Sequence, residues 1–139
     1  MRDFVAVSQR IDDMRSYAER RDSLDKRVVL FLKAVGLVTL PVPNNLFDLS
    51  DSEERVSPLE SFLRHTLPTA VLLSGGNDIG EHEERDITEY QLLDYAEKYK
   101  LPVLGICRGM QLMATRAGAK LRRVSGHVQT RHKVHGIIT

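Results

Sequence analysis

The chain has 139 residues, of which 20 are Lys or Arg and 19 are Asp or Glu, so its net charge is close to zero. This length predicts one domain with a substantial core, and the balanced charge argues against nucleic acid or an anionic membrane surface as a partner. The lone cysteine, Cys107, excludes an internal disulfide, and no apolar stretch is long enough for a signal peptide or a membrane span. We therefore expect a cytoplasmic protein.

Short apolar runs rich in β-forming residues predict strands at 4–7, 37–40, 70–73 and 103–106. Pro41 and Pro43 should keep the residues after the second run out of a sheet ladder, because proline lacks the backbone donor. Amphipathic segments between the runs predict helices at 23–35, 58–65, 86–99 and 108–117. This alternation predicts a parallel sheet with helices on both faces.

The spacing of apolar residues assigns a buried face to each predicted helix. The expected inward positions are Leu24, Val28, Phe31 and Val35 in the first helix, Ile87, Tyr90, Leu93 and Ala96 in the third, and Met110, Met113, Ala114 and Ala117 in the fourth. Asp86 is expected to cap the third helix, with Arg85 as a surface charge.

The remaining segments are predominantly polar. The basic stretch 15–27 is expected to be a solvated helix face, because acidic residues interrupt it. The acidic stretch 47–57 is expected to be a surface loop rather than a metal site. Two further strands are predicted at 121–124 and 134–138, on either side of a loop that carries His127 and His132.

The segment 101–113 joins the fourth strand to the fourth helix through Gly105-Ile106-Cys107-Arg108-Gly109. Glycines on both sides of the cysteine are typical of a nucleophile elbow, since Cβ atoms there would crowd the tight backbone. The helix that follows directs its free amides and its positive dipole end at the sulfur, which favours negative charge there. The alternative is a small buried hydrophobe at a strand end, the commonest role of a free cysteine.

Ser74-Gly75-Gly76 follows the third strand directly. Paired glycines at this position allow backbone amides to face a ligand, although such a pair is also common in simple turns. Ligands of parallel sheets lie beyond the carboxyl ends of the strands. The glycine pair and Cys107 are therefore expected to share one pocket.

Four segments, 73–78, 85–89, 101–111 and 126–132, resemble in this order the class I glutamine amidotransferase superfamily, and within it most the γ-glutamyl-γ-aminobutyrate hydrolase-like group of γ-glutamyl hydrolase peptidases. The resemblance implies a flavodoxin-like α/β fold and a C–N hydrolase that cleaves glutamine or another γ-glutamyl amide through a cysteine thioester. It implies a small γ-glutamyl substrate, a synthetase partner if ammonia is transferred, and no metal or cofactor.

Each site residue follows from its match to the motifs of that family. Cys107 corresponds to the nucleophile, and the main-chain amides of Gly76 and Arg108 correspond to the oxyanion hole. Gly75 and Gln111 correspond to residues that bind the substrate, with Gln111 at its α-amino acid end.

One family feature is missing from the sequence. The catalytic His-x-Glu lies far downstream of the cysteine in the family, and none of the residues after Cys107 spells it. We expect residues 1–139 to be the amino-terminal portion of a class I glutamine amidotransferase-like domain, truncated at its C-terminus. The alternatives are an inactive binding module or fragment, and substitution of the missing base by His132 or His135.

Overall fold

The computed structural model describes residues 3–47, 56–131, 133 and 135. The strands, in chain order, are β1 (Phe4–Ser8), β2 (Arg10–Met14), β3 (Glu19–Ser23), β4 (Val38–Val42), β5 (Ala70–Leu73) and β6 (Val103–Gly105). The α-helices are α1 (Lys26–Ala34), α2 (Pro58–Thr66), α3 (Glu83–Tyr99) and α4 (Arg108–Arg116). Four of the strands form a parallel sheet in the order β4-β1-β5-β6, and β2 pairs with β3 in a separate antiparallel hairpin.

Alternate side chains of the parallel strands enter two cores. Val5, Val7 and Leu72 pack with Leu32 of α1 on one face of the sheet. The opposite face carries the larger core, which gathers side chains of the sheet and of α2, α3 and α4: Ala6, Val42, Leu59, Leu63, Val71, Leu73, Leu92, Leu93, Tyr95, Ala96 and Leu112. The predicted parallel sheet with helices on both faces is confirmed, and its strand order is of the flavodoxin-like type.

The prediction of a solvated helix face over 15–27 is wrong. Residues 10–23 form the hairpin of β2 and β3, with a short 3-10 helix at Arg15–Tyr17 in its turn. Oppositely charged residues face each other across the two strands, Asp12 opposite Arg21 and Asp13 opposite Arg20. Asp13 and Arg20 form an ion pair across the ladder over 3.2 Å, and a cross-strand pair of this kind stabilises a segment that has few apolar residues.

Helix α1 presents a different face to the sheet than its apolar spacing predicted. It begins at Lys26, with Asp25 rather than Ser23 as its N-cap. Leu32 is buried, whereas Phe31 and Val35 are 48% and 57% exposed. The packed line of side chains runs from Val28 to Leu32, one helical turn apart.

Of the residues expected to face inward in helix α4, Met113 packs against the larger core, whereas Met110 is 58% exposed; the fully buried positions are Arg108, Gly109 and Leu112. The close approach of Gly109 to the end of β5 fixes this orientation.

Two further expectations about strands fail. β4 continues through Pro41 because, in the sheet of the described residues, it is an edge strand with β1 as its partner, so the missing donor of proline breaks no ladder bond. Residues 121–124 are exposed and form no strand. The predicted strand at 134–138 lies outside the described residues except for His135, as do residues 48–55 of the acidic loop.

Within the described part of the chain, none of the helices has the length and the apolar character that crossing a membrane requires.

Candidate active site

Cys107 stands between the last residue of β6 and the first residue of α4, and its side chain is exposed. Its backbone adopts φ 51° and ψ −106°. A positive φ is uncommon for a residue with a Cβ atom, and strain of this kind is concentrated at functional sites. The bend predicted from the sequence is present, and it raises the cysteine to the carboxyl edge of the sheet.

The glycines on either side of Cys107 make this bend possible. A Cβ atom at Gly105 would lie 2.6 Å from the backbone nitrogen of Met110, and one at Gly109 would lie 2.3 Å from the carbonyl oxygen of Leu73. Real Cβ contacts do not occur at these separations, so α4 can approach β5 and β6 this closely only with glycine at both positions.

The Ser74–Gly76 loop lies directly beside the cysteine. A Cβ atom built on Gly75 would come within 3.4 Å of the Cys107 Cβ atom. Gly76 turns the loop with φ 84°, and the Arg10 side chain packs over it. The loop, Arg10, Asp25 and Ile106 are among the residues that line a cavity of about 220 Å³. The structure thus brings the two predicted segments together at one edge of the sheet.

Arg108 supplies the first amide of α4, which has no acceptor within the helix. Among the described residues, neither this amide nor that of Gly76 has a hydrogen-bond partner. Both are therefore donors without an acceptor in the described part of the chain. Gln111 follows one turn later, half-buried, and its backbone nitrogen donates to the Cys107 carbonyl over 3.1 Å.

The prediction that Arg85 is a surface charge is wrong, because its side chain is fully buried. Helix α3 begins at Glu83 with His82 at the N-cap position, so Asp86 is not the cap but lies in the first turn. The Asp86 carboxylate accepts from the backbone nitrogen of Gly80 over 2.8 Å and from the Arg108 guanidinium. Both corrections place charged side chains of α3 under the candidate site.

Glu89 is the centre of this buried cluster. Its Oε1 accepts from Arg85 Nε over 3.1 Å and from the Ser8 hydroxyl over 2.7 Å, and its Oε2 accepts from Arg108 Nη1. The Ser8 hydroxyl also accepts from the backbone nitrogen of Ser74 over 2.9 Å. One buried carboxylate therefore connects the end of β1, the glycine loop and the start of α4.

The cluster is balanced in charge, since Arg85 and Arg108 face Glu89 and Asp86. Burial lowers the pKa of both guanidinium groups to about 10, so both remain protonated at neutral pH.

A sequence signal for this cluster exists, although apolar periodicity does not detect it. Arg85 and Glu89 are four residues apart, and Leu92 and Ala96 continue the same line along α3. The inward face of the helix is thus charged at its beginning and apolar afterwards. A search for apolar residues alone selects the half-buried Ile87 and Tyr90 in the first two turns and leaves the fully buried Arg85 and Glu89 undetected.

Two of the described histidines, His65 and His82, contact groups other than the Cys107 sulfur. His82 is buried and its Nδ1 lies 2.6 Å from Arg20 Nη2, and His65 Nδ1 contacts the Ser61 carbonyl oxygen on α2. His135 is exposed, and His132 lies outside the described residues. Substitution of the catalytic base by His132 or His135 therefore stays a prediction.

Comparison with known proteins identifies several relatives of this chain. Gamma-glutamyl-CDP-amidate hydrolase from Campylobacter jejuni is 29% identical over 132 residues, which are 90% of this chain and 60% of the relative. One subunit of the glutamine-hydrolyzing GMP synthase from Methanocaldococcus jannaschii is 30% identical over 109 residues, 78% of this chain and 48% of the relative. A putative glutamine amidotransferase from Schizosaccharomyces pombe is 49% identical over 37 residues, 27% of this chain and 15% of the relative.

The chain thus spans 60% or less of the length of these relatives. The sequence profile of the Peptidase C26 family matches residues 7–136, which is nearly the whole chain. The resemblance to class I glutamine amidotransferases is confirmed by this match and by the relatives. The chain belongs to the Peptidase C26 family.

Proposed function

We propose that the protein hydrolyses a γ-glutamyl amide, either glutamine or a γ-glutamyl derivative of another small amine, through a γ-glutamyl thioester on Cys107. The observation that carries this proposal is the strained, exposed position of Cys107 beside the Gly75–Gly76 loop. A nucleophile and two free main-chain donors at one edge form the minimal apparatus for acyl transfer.

In the first step the Cys107 thiolate attacks the γ-carbonyl carbon, so a C–S bond forms and the carbonyl oxygen becomes negative. The amides of Gly76 and Arg108 would stabilise this oxygen, and losing one such donor typically costs about 10²- to 10³-fold in rate. The C–N bond then breaks, the amine leaves with a proton, and a thioester remains. Water cleaves the thioester to release glutamate and the thiol.

The proton transfers in these steps need a general base that is also an acid. We propose that this base lies in a segment of the protein that corresponds to the part of the relatives outside the matched residues. Gln111 and Gly75 would bind the α-amino acid end of the substrate. Thiol chemistry with an oxyanion hole needs no metal or cofactor.

The fate of the amine separates two versions of this function. The Campylobacter relative is named as a hydrolase of a γ-glutamyl-CDP-amidate, whereas the Methanocaldococcus relative is named as part of a synthase. Free hydrolysis of a small γ-glutamyl compound is the version we favour for this protein, and transfer of ammonia to a synthetase partner is the alternative. A binding module without turnover would retain the pocket but form no thioester.

The proposal is tested with an activated γ-glutamyl ester, such as the p-nitrophenyl ester of the γ-carboxyl group. We expect a burst of nitrophenolate and a mass gain of one glutamyl group on the Cys107 peptide. The reason is that a good leaving group departs without an acid, so the residues described here suffice.

The matched controls are the Cys107→Ser variant and the corresponding α-carboxyl ester of glutamate. Both should give no burst, because the first lacks the thiol and the second presents the wrong carbonyl. Equal acylation of the Cys107→Ser variant, or glutamyl groups spread over lysines, would contradict the proposal.

A further inference from the structure

The Arg85 guanidinium is saturated by acceptors that belong mainly to the glycine loop. Its Nη2 donates to the carbonyl oxygens of Ser74 over 2.9 Å and Gly75 over 3.1 Å. Its Nη1 donates to the Gly76 carbonyl and, over 2.9 Å, to Asn77 Oδ1. With Nε on Glu89, every N–H group of this side chain has an acceptor.

These bonds fix the direction of the loop amides. In a trans peptide the carbonyl and the next N–H point to opposite sides, and the described residues contain no cis peptide. Because the carbonyl of Gly75 points at buried Arg85, the amide of Gly76 must point away from the interior. The same reasoning directs the amide of Gly75 outward, through the carbonyl of Ser74.

The second proposed donor, the main-chain amide of Arg108, is also connected to helix α3. The side chain of Arg108 reaches back under the elbow to Glu89 and Asp86, while its main-chain nitrogen begins α4 beside Cys107. Glu89 therefore contacts both arginines. Movement of either donor requires a rearrangement of this buried carboxylate, which is costly once the ion pairs are desolvated.

We propose that Arg85 is a positioning residue that orients the Gly76 amide toward the oxyanion. Glu89, which contacts both arginines, keeps the Gly76 amide and the Arg108 amide in fixed positions relative to each other. The inference rests on the proposed function, since it concerns the oxyanion of that reaction. Arg85 itself touches no reacting atom. Its effect should appear in acylation of Cys107 but not in the reactivity of the sulfur.

The experiment compares two reagents on the wild-type protein and on the Arg85→Met and Arg85→Lys variants. The activated γ-glutamyl ester needs both the sulfur and the oxyanion donors, whereas iodoacetamide needs only the sulfur. We expect the acylation rate constant to fall about 10²- to 10³-fold in both variants, with unchanged alkylation by iodoacetamide. Lysine retains the cation opposite Glu89, but its three donors on one nitrogen cannot reproduce the planar fork whose five donors span the loop carbonyls, Asn77 and Glu89.

Arg116→Met is the matched control, because Arg116 forms ion pairs only with the exposed Asp94 and Glu97. It should leave both rates unchanged. If Arg85→Met fails to fold, Arg85→Lys decides the question, because it keeps the buried charge balanced.

The outcomes separate the two proposals. Wild-type acylation together with equal acylation of a folded Arg85→Lys variant would overturn the inference about Arg85 alone. A parallel fall of both rates would also overturn it, since it would indicate a general disturbance of the elbow. Absence of acylation in the wild-type protein would instead overturn the proposed function.

Discussion

Replacement of Cys107 by alanine is expected to reduce glutamate release from γ-glutamyl amides by at least about 10⁴-fold in kcat, because removal of the nucleophile of a catalytic set has effects of this order. The measurement is glutamate formation by the full-length gene product and its variant. The change removes only the sulfur, so the bend at position 107 and the fold should be retained.

Thermal unfolding of the same variant supplies the control. The Cys107 side chain is exposed, so its loss creates no cavity and the melting temperature should change little. Met110, which is also exposed on the same helix, offers a matched Met110→Ala variant that should keep full activity. Equal glutamate release by the wild-type protein and Cys107→Ala would refute the assignment of the nucleophile.

Replacement of Glu89 by glutamine is expected to lower the free energy of unfolding by about 3–5 kcal/mol, the usual cost of removing one partner from a buried ion pair. Glutamine keeps the size of the side chain and one acceptor oxygen. Because Arg85 and Arg108 bond different oxygens of Glu89, the amide oxygen could accept from only one of the two buried guanidinium groups, and the amide NH2 would face the other. Chemical denaturation of the two proteins measures the difference.

Glu97→Gln is the control for this prediction, because Glu97 lies on the same helix and pairs with Arg116 at the surface. Exposed pairs of this kind contribute about 0–1 kcal/mol, so the control should remain close to the wild type. Similar losses of unfolding free energy in the two variants would mean that the buried cluster stabilises the fold no more than an exposed ion pair does.

Much of the fold is predictable because it depends on strong local signals. The apolar runs at 4–7 and 70–73 form the two central strands of the parallel sheet and are largely buried, which is the arrangement that such continuous runs favour, whereas the run at 37–40 forms the half-buried edge strand β4. The bend at Cys107 is equally predictable from the sequence, because glycines at 105 and 109 are the residues that a tight bend with such close backbone contacts requires.

The hairpin at 10–23 could not be predicted in this way. Its strands contain few apolar residues, and the charges that pair across it, such as Asp13 and Arg20, equally suit an exposed helix. The choice is made by tertiary contacts, in which Asn77 bonds the backbone of Ile11 and thereby attaches the hairpin to the glycine loop. No local pattern carries that information.

The buried charge cluster could not be predicted from the sequence for a related reason. Arg85 and Glu89 are residue types that are rarely buried unless they are paired, so each of them in isolation indicates a surface position. Their partners, Ser8, Ser74 and Arg108, come from three other parts of the chain. Only the fold brings them together.

The central claim is that the Cys107 sulfur and the amides of Gly76 and Arg108 converge on one oxygen atom. The most direct measurement is a structure of the hemithioacetal that Cys107 forms with the open-chain γ-semialdehyde of glutamate, an analogue of the tetrahedral intermediate whose capture competes with cyclisation of the free aldehyde. We predict that its oxygen lies about 2.7–3.1 Å from both amide nitrogens. An oxygen that points into solvent, with neither amide within hydrogen-bond distance, would contradict the account.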